Sequence, residues 1–204
     1  MDAKLRAAAE EAKGFMPPDE GLALYEAGLQ AGALGPLLEI GSYCGKSAVY
    51  LGAAARERGT VLYSIDHHHG SEEMGPGWEH HDPELVDPST GRMDSFPFFR
   101  ATVANAALDD VVVAIVGDSP TVAREWTTPL ALVFVDGAHS EQPAMADYES
   151  WAPKLVTGGL LAIHDVFEDP AEGGQGPFRV YERAKRESFT DVSRAGSLRV
   201  VRAP

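Results

Sequence analysis

The sequence predicts an α/β fold built on a mostly parallel sheet covered by helices on both faces, with an antiparallel hairpin at its C-terminal end. Three observations carry this. Continuous apolar runs of strand length alternate with amphipathic helical stretches, and a strand buried on both faces reads as such a run. Polar punctuation recurs just after those runs, at Glu39/Gly41, Asp66, Asp118, Asp136 and His164/Asp165. In such sheets ligands bind at the C-terminal strand ends.

The elements follow in order. Residues 2–13 read as a helix, with Leu5, Ala8, Ala9 and Ala12 at helical spacing, broken by Pro17-Pro18-Asp19. Leu22, Leu24, Tyr25 and Leu29 mark a second helix ending near Gly32, so residues 1–34 form an N-terminal helical segment. A strand over 36–40 runs into Gly41-Ser42-Tyr43-Cys44-Gly45-Lys46-Ser47, and a helix over 48–58 stops at Gly59. Residues 60–65 form a strand closed by Asp66. The stretch 67–97 holds His67, His68, His69, His80 and His81 with acids, Gly and Pro, and shows no sustained period. It reads as a lid or acceptor-binding insert, because long loops in compact domains are functional or disordered.

A helix over 98–108 precedes a strand over 111–116 and Gly117-Asp118-Ser119. Ser119 is the expected N-cap of a short helix over 120–126. Leu130–Val135 is a fully apolar strand ending in Asp136-Gly137, and a helix is expected over 142–155. Gly158-Gly159 is expected to turn the chain into a strand over 160–163, followed by a Gly/Pro-rich loop, a helix over 178–185 and a hairpin around Gly196. No repeat or linker divides the chain, so residues 1–204 are expected to be one domain.

Of the 204 residues, 31 are acidic and 17 basic, giving a formal net charge of -14. Such a surface repels phosphate backbones and anionic lipid, so nucleic acid and membranes are not expected partners. A neutral substrate or a cationic cofactor is compatible with it. No apolar run is long enough for a membrane span, and the first residues carry acids where a signal peptide has an apolar core. The single cysteine, Cys44, excludes an internal disulfide and fits a reducing compartment, so a cytoplasmic location is expected. Cys44 itself reads as a small packing residue.

The glycine turn after the first strand lets a ligand approach the backbone closely, and Asp66 can accept from both hydroxyls of a ribose. Gly41 and Gly45 are four apart, unlike the Gly-x-Gly-x-x-Gly of dinucleotide folds, which counts against a pyrophosphate ligand and an NAD-dependent oxidoreductase. Glu39, inside an apolar strand, is expensive to bury without a partner. Asp136 with His164 and Asp165, on neighbouring strand ends, can converge on one ion that polarises a hydroxyl. A hydrogen-bonded pair capping the strand end is the alternative for His164-Asp165. The consecutive histidines 67–69 cannot all face one metal in an extended chain.

The segment Leu38-Glu39-Ile40-Gly41-Ser42-Tyr43-Cys44-Gly45-Lys46-Ser47-Ala48-Val49 resembles the first motif of catechol O-methyltransferase-type class I methyltransferases. The resemblance continues through Asp66, Gly117-Asp118-Ser119, Asp136 and His164-Asp165, roughly residues 35–166 in order and spacing. It implies a Rossmann-like class I methyltransferase domain that uses S-adenosylmethionine. Glu39, Gly41, Ser42, Tyr43 and Ser47 would then surround the methionine part and Asp66 the ribose. Gly117, Asp118 and Ser119 would border the adenine, and Asp136 and His67 would also lie beside the cofactor. The resemblance further implies a divalent metal on Asp136, His164 and Asp165, with magnesium the default and manganese the alternative. His164 departs from the acid of that family, so an imidazole there can instead act as a base or orient a ligand.

His139 lies three residues after Asp136, where the catechol enzymes carry a catalytic lysine, and it is the candidate base beside Asp136. Trp78, His80 and His81 read as acceptor-facing lid residues. Arg179 and Tyr181 line the acceptor site in one reading and pack or pair in another. The polar insert and the Phe134-Val135-Asp136-Gly137-Ala138-His139 pattern are similar to actinobacterial sugar O-methyltransferases, including the mycobacterial methylmannoside type. The expected acceptor is therefore a hydroxyl of a small carbohydrate. The alternatives are a phenol or catechol, or a hydroxylase or ligand-binding protein that has lost methyl transfer. A homodimer is expected only from the resemblance.

Overall fold

The computed structural model describes residues 1–71 and 81–204. In chain order the helices are α1 (Ala3–Glu11), α2 (Pro18–Ala31), α3 (Lys46–Arg58), α4 (Phe96–Asn105), α5 (Ser119–Arg124), α6 (Glu141–Trp151) and α7 (Gly176–Arg186). The strands are β1 (Leu37–Ile40), β2 (Leu62–Asp66), β3 (Val112–Val116), β4 (Leu130–Val135), β5 (Leu155–Ile163), β6 (Thr190–Ala195) and β7 (Leu198–Arg202). They form one sheet in the order β3-β2-β1-β4-β5-β7-β6. The first five are parallel, and β7 pairs antiparallel with both β5 and β6. The predicted fold class, a Rossmann-like sheet closed by an antiparallel hairpin, is the one observed.

Strand alternation sorts the core into two layers. Leu37, Leu62, Leu132, Phe134 and Leu160 pack against α1–α4. Leu38, Ile40, Val133, Leu161 and Ile163 pack against α5–α7. Each of these apolar side chains stabilises the fold by about 1.5–3 kcal/mol on burial. Such strands, buried on both sides, are what the continuous apolar runs encode. No helix among the described residues is long and apolar enough to cross a membrane.

Three local expectations are corrected. The cap of α5 is Asp118, not Ser119: its backbone is extended (φ -70°, ψ 126°) and its carboxylate accepts from the Thr121 amide. Leu155 opens β5 instead of closing α6, which ends at Trp151 before a turn of 3₁₀ helix over Ala152–Lys154. Gly158-Gly159 lies within β5, where pairing with β4 shifts between Leu130 and Leu132, so the two glycines mark a bulge and not a turn. In the insert, α4 begins at Phe96, whose amide is held by Asp94 at 3.0 Å. A 3₁₀ turn spans Pro83–Leu85, and Val86 bridges Met93.

β1 and β4 are neighbours whose chains leave in opposite directions across the sheet, toward β2 and β5 respectively. The crevice beyond their C-terminal ends is the topological switch point of the sheet. Gly41 and Asp136 flank it.

Candidate functional site

At the end of β1 the chain must turn against β4 without a side chain in the way. Gly41 does this at φ +88°, and a Cβ there would overlap the Asp136 carbonyl and lie 2.6 Å from the Gly137 Cα. Tyr43 follows at φ 47° and Gly45 at φ 90°, where it caps α3. The turn is pinned from β2. Asp66 Oδ2 accepts the Tyr43 amide at 2.8 Å, and Oδ1 accepts the His68 amide at 2.7 Å. Asp66 also borders the crevice, and each of its oxygens can accept a further hydrogen bond.

Glu39 sits behind this turn and is fully buried. Its Oε1 accepts from the Ser64 hydroxyl, and Ser47 bonds to the same carboxylate. Oε2 has no hydrogen-bond partner among the described residues, and neither does the Ser42 hydroxyl. Burial pushes the Glu39 carboxyl up to about 7, against the pull of the two serines. Glu39 therefore supports the turn from below, while Ser42, Tyr43 and Ser47 line the cavity itself.

Two cavities meet at this turn. One, of about 540 Å³, is bordered by Phe15, Tyr43, Ser47, Asp136, His139 and Asp165. The other, of about 370 Å³, is bordered by Asp66, His67, Gly117, Asp118, Ser119 and Asp147. Gly41, Tyr43 and Asp136 belong to both, so they form one continuous cleft. Every expected cofactor-binding residue except Glu39 lines it. His67 is half exposed and stacks on His69 with ring centroids 6.0 Å apart.

Asp136, His139 and Asp165 bring one ligand atom each within 4.8 Å of one another. His139 Nε2 lies 3.0 Å from Asp165 Oδ2. His164, expected among the metal ligands, is differently engaged. Its Nδ1 lies 3.0 Å from Asp136 Oδ1 and its Nε2 2.7 Å from Glu20 Oε2. With a carboxylate at each nitrogen, both act as donors, and no lone pair is left for an ion. The position expected of His164 in the cluster is taken by His139. Burial alone would lower the His164 pKa, but Asp136, Asp165 and Glu20 together raise it well above the usual imidazole range. Asp136 is partly buried, and the resulting loss of solvation raises its carboxyl despite His164. Burial would also raise Asp165, but hydrogen bonds from His139 and His164 hold it below the usual carboxylate range.

Glu20 is the residue that sequence reasoning missed. It lies in the first turn of α2, 5% exposed, and also accepts from the Ser197 amide at 2.8 Å. It ties α2, β5 and the β6–β7 turn together under the cluster. The one available signal was an acid just after a Pro-Pro break, which reads equally well as a helix N-terminal charge. The segment 13–16 was missed too: Phe15 packs on Tyr43 at 5.6 Å, and Lys13 pairs with Asp82 at 2.6 Å across the cleft mouth.

Of the lid residues, Trp78 and His80 lie outside the described residues, and His81 borders a small hollow beside Phe15 and Tyr43. Arg179 and Tyr181 do not reach the cleft; they pair with Glu182 and Asp191 at 2.7 and 2.8 Å. Cys44 is buried, and its thiol is pushed up to about 12 by burial, so it is no nucleophile.

A glycine turn after β1, an acid closing β2 and a polar cluster after β4 and β5 match a known family. Residues 38–166 match the family model described as a methyltransferase domain. The chain belongs to this methyltransferase family. Solved structures share the fold at low identity. An O-methyltransferase from Bacillus cereus, determined in complex with SAH, is 22% identical, with 99% of this chain and 91% of that chain covered and a TM-score of 0.62. The O-methyltransferase TomG from Streptomyces achromogenes, involved in tomaymycin synthesis and determined with SAM, is 21% identical over 100% and 91%, with a TM-score of 0.63. A Corynebacterium glutamicum protein is 18% identical over 100% and 91%, at 0.67.

Proposed function

We propose that this methyltransferase transfers the methyl group of S-adenosylmethionine to a hydroxyl of a small acceptor, a carbohydrate in the first instance. The observation that carries the reading is the convergence of Asp136, His139 and Asp165 in the cleft wall beside the Gly41 turn. The similar proteins determined with SAM or SAH are O-methyltransferases, which supports both the cofactor and the oxygen acceptor. In this reading Ser42, Tyr43 and Ser47 face the methionine part, Asp66 the ribose, and Gly117–Ser119 the adenine.

The donor set fits a divalent cation. Glu20, Asp136 and Asp165 carry three negative charges against one on His164, a deficit of the size a divalent ion would neutralise. Asp136 and Asp165 would hold it, with His139 in reach as a third ligand. Carboxylate oxygens favour magnesium and an added imidazole favours manganese. Bound there, such an ion would polarise an acceptor hydroxyl and lower its pKa.

The protein's own groups do the rest. When it is not bound to the ion, the His139 imidazole, its Nε2 3.0 Å from Asp165 Oδ2, is placed to take the hydroxyl proton. Glu20 and His164 fix Asp136 and Asp165 in place. The walls exclude water and align the acceptor oxygen with the methyl carbon, where most of the acceleration arises.

A carbohydrate is favoured by what adjoins the cluster. Beyond Asp165 and Phe167 a further hollow is bordered by Glu168, Asp169, Glu172 and Arg194. Hydrogen-bonding groups beside the Phe15 and Phe167 rings suit a sugar. The same two rings favour a phenol as the second reading. The test is transfer of labelled methyl from S-adenosylmethionine into mannosides, rhamnosides and catechols, with magnesium or with EDTA. Labelling of a sugar that EDTA abolishes supports the full reading. Labelling of catechol alone moves the acceptor to the phenols, EDTA-insensitive transfer sinks the metal, and no transfer to any acceptor sinks the function.

A further inference from the structure

We infer that Asp147 reads the base of the cofactor, its carboxylate accepting a hydrogen bond from the exocyclic amino group of adenine. The inference rests on the S-adenosylmethionine reading above. Asp147 lies on α6, is 6% exposed, and borders the same cavity as Asp66, Gly117, Asp118 and Ser119. From Asp66, where the ribose would sit, that cavity extends between the segments after β3 and β4 and has Asp147 in its wall. The close approach is visible at Gly137, where a Cβ would lie 3.2 Å from Asp147 Oδ2.

The two polar groups flanking the cavity after β3 are committed elsewhere. Asp118 Oδ2 accepts from the Thr121 amide at 3.0 Å and the Thr121 hydroxyl at 2.6 Å, which fixes the start of α5. The Ser119 hydroxyl accepts from Trp151 Nε1 at 2.8 Å and bonds to Asp147. No lysine, arginine or histidine among the described residues forms an ion pair with Asp147. A buried carboxylate with one hydroxyl donor is under-satisfied, and burial accordingly pushes it up to about 6. An aromatic amine supplies the missing donor. A purine with a carbonyl at the same position presents an acceptor to an acceptor and is rejected.

The test is calorimetric binding of S-adenosylhomocysteine and of S-inosylhomocysteine, which carries a carbonyl in place of that amino group and a hydrogen on the adjacent ring nitrogen. A hydrogen bond to a charged acceptor is worth a factor of about ten to a hundred in affinity, so the wild-type protein is expected to prefer the adenosyl compound by at least about tenfold. Asp147→Asn presents both a donor and an acceptor, and is expected to abolish most of that preference by binding the inosyl compound more tightly. Asp147→Ser keeps a small hydroxyl near Ser119 and serves if the amide fails to fold; it too is expected to lose the preference. Equal wild-type affinities, or variants that weaken both ligands by the same factor, would overturn the role of Asp147 while leaving the cofactor in place. Failure of S-adenosylhomocysteine to bind at all would overturn the cofactor reading and this inference together.

Discussion

His164 Nε2 and Glu20 Oε2 lie 2.7 Å apart, with both side chains almost completely buried, so a group after the fifth strand is held by one from the second helix. The other nitrogen of His164 reaches Asp136. Removing one member of such a pair leaves an uncompensated buried charge, which costs about 3–5 kcal/mol. Glu20→Ala is therefore expected to lower the melting temperature by roughly 6–20 °C at about 2–4 °C per kcal/mol for a chain of this size. Differential scanning calorimetry checks this; an unchanged melting temperature would show that the contact contributes nothing. Glu20→Gln keeps one hydrogen bond to His164 and should lose less.

His139 and His164 are expected to separate cleanly in kinetics. Both border the cleft, but His139 is the more exposed, whereas His164 is almost completely buried and held between Glu20 and Asp136. His139→Ala should lower kcat by about 10²–10⁴-fold, the usual contribution of a positioned base, with the affinity for S-adenosylhomocysteine unchanged. A variant that retains wild-type kcat would remove His139 from the chemistry. If His139 instead serves chiefly as a ligand, manganese affinity falls in the variant and excess metal restores the rate.

How far these roles were legible in the sequence follows from the range of the interactions involved. The apolar runs, the Gly41 turn and the strand-end acids are each local, and each is decided by a few adjacent residues. Glu20 acquires its meaning only from His164 and Ser197, which are 144 and 177 residues away in the chain. No local pattern distinguishes it from a helix N-terminal acid. The His164-Asp165 pair was visible, but which way each side chain turns depends on that distant carboxylate. Leu155 was assigned to the wrong element because a single leucine satisfies either period; the bulge at Gly158-Gly159, opposite β4, decides it.

Gly41 permits a sharper structural prediction. Its φ of +88° and the overlap of any Cβ with the Asp136 carbonyl set backbone against backbone, with no flexible side chain to yield. Gly41→Ala should either push β1 and β4 apart or distort the loop, costing about 1–3 kcal/mol for the backbone conformation alone. Chemical denaturation should show that loss, and binding of S-adenosylhomocysteine should fall with it. A variant that binds normally would mean the cradle tolerates displacement.

The last prediction concerns the pH dependence of stability at Glu39. Its carboxyl is pushed up from the ordinary 4.5 to about 7, chiefly by burial. The folded state thus holds a proton that the unfolded state releases between these values. The stability this group contributes is complete below about pH 4.5 and is lost as pH rises through 7. A difference of about 2.5 units corresponds to about 3 kcal/mol. Glu39→Gln, which cannot ionise and can still accept from Ser64, is expected to be more stable than the wild type by up to about 3 kcal/mol at pH 8 and no more stable near pH 4.5. The measurement is denaturant unfolding across that range without cofactor. The same substitution should weaken S-adenosylhomocysteine binding, because it loosens the Ser47 contact beneath the turn. A variant stabilised equally at every pH would place the effect in packing and take Glu39 out of the titration.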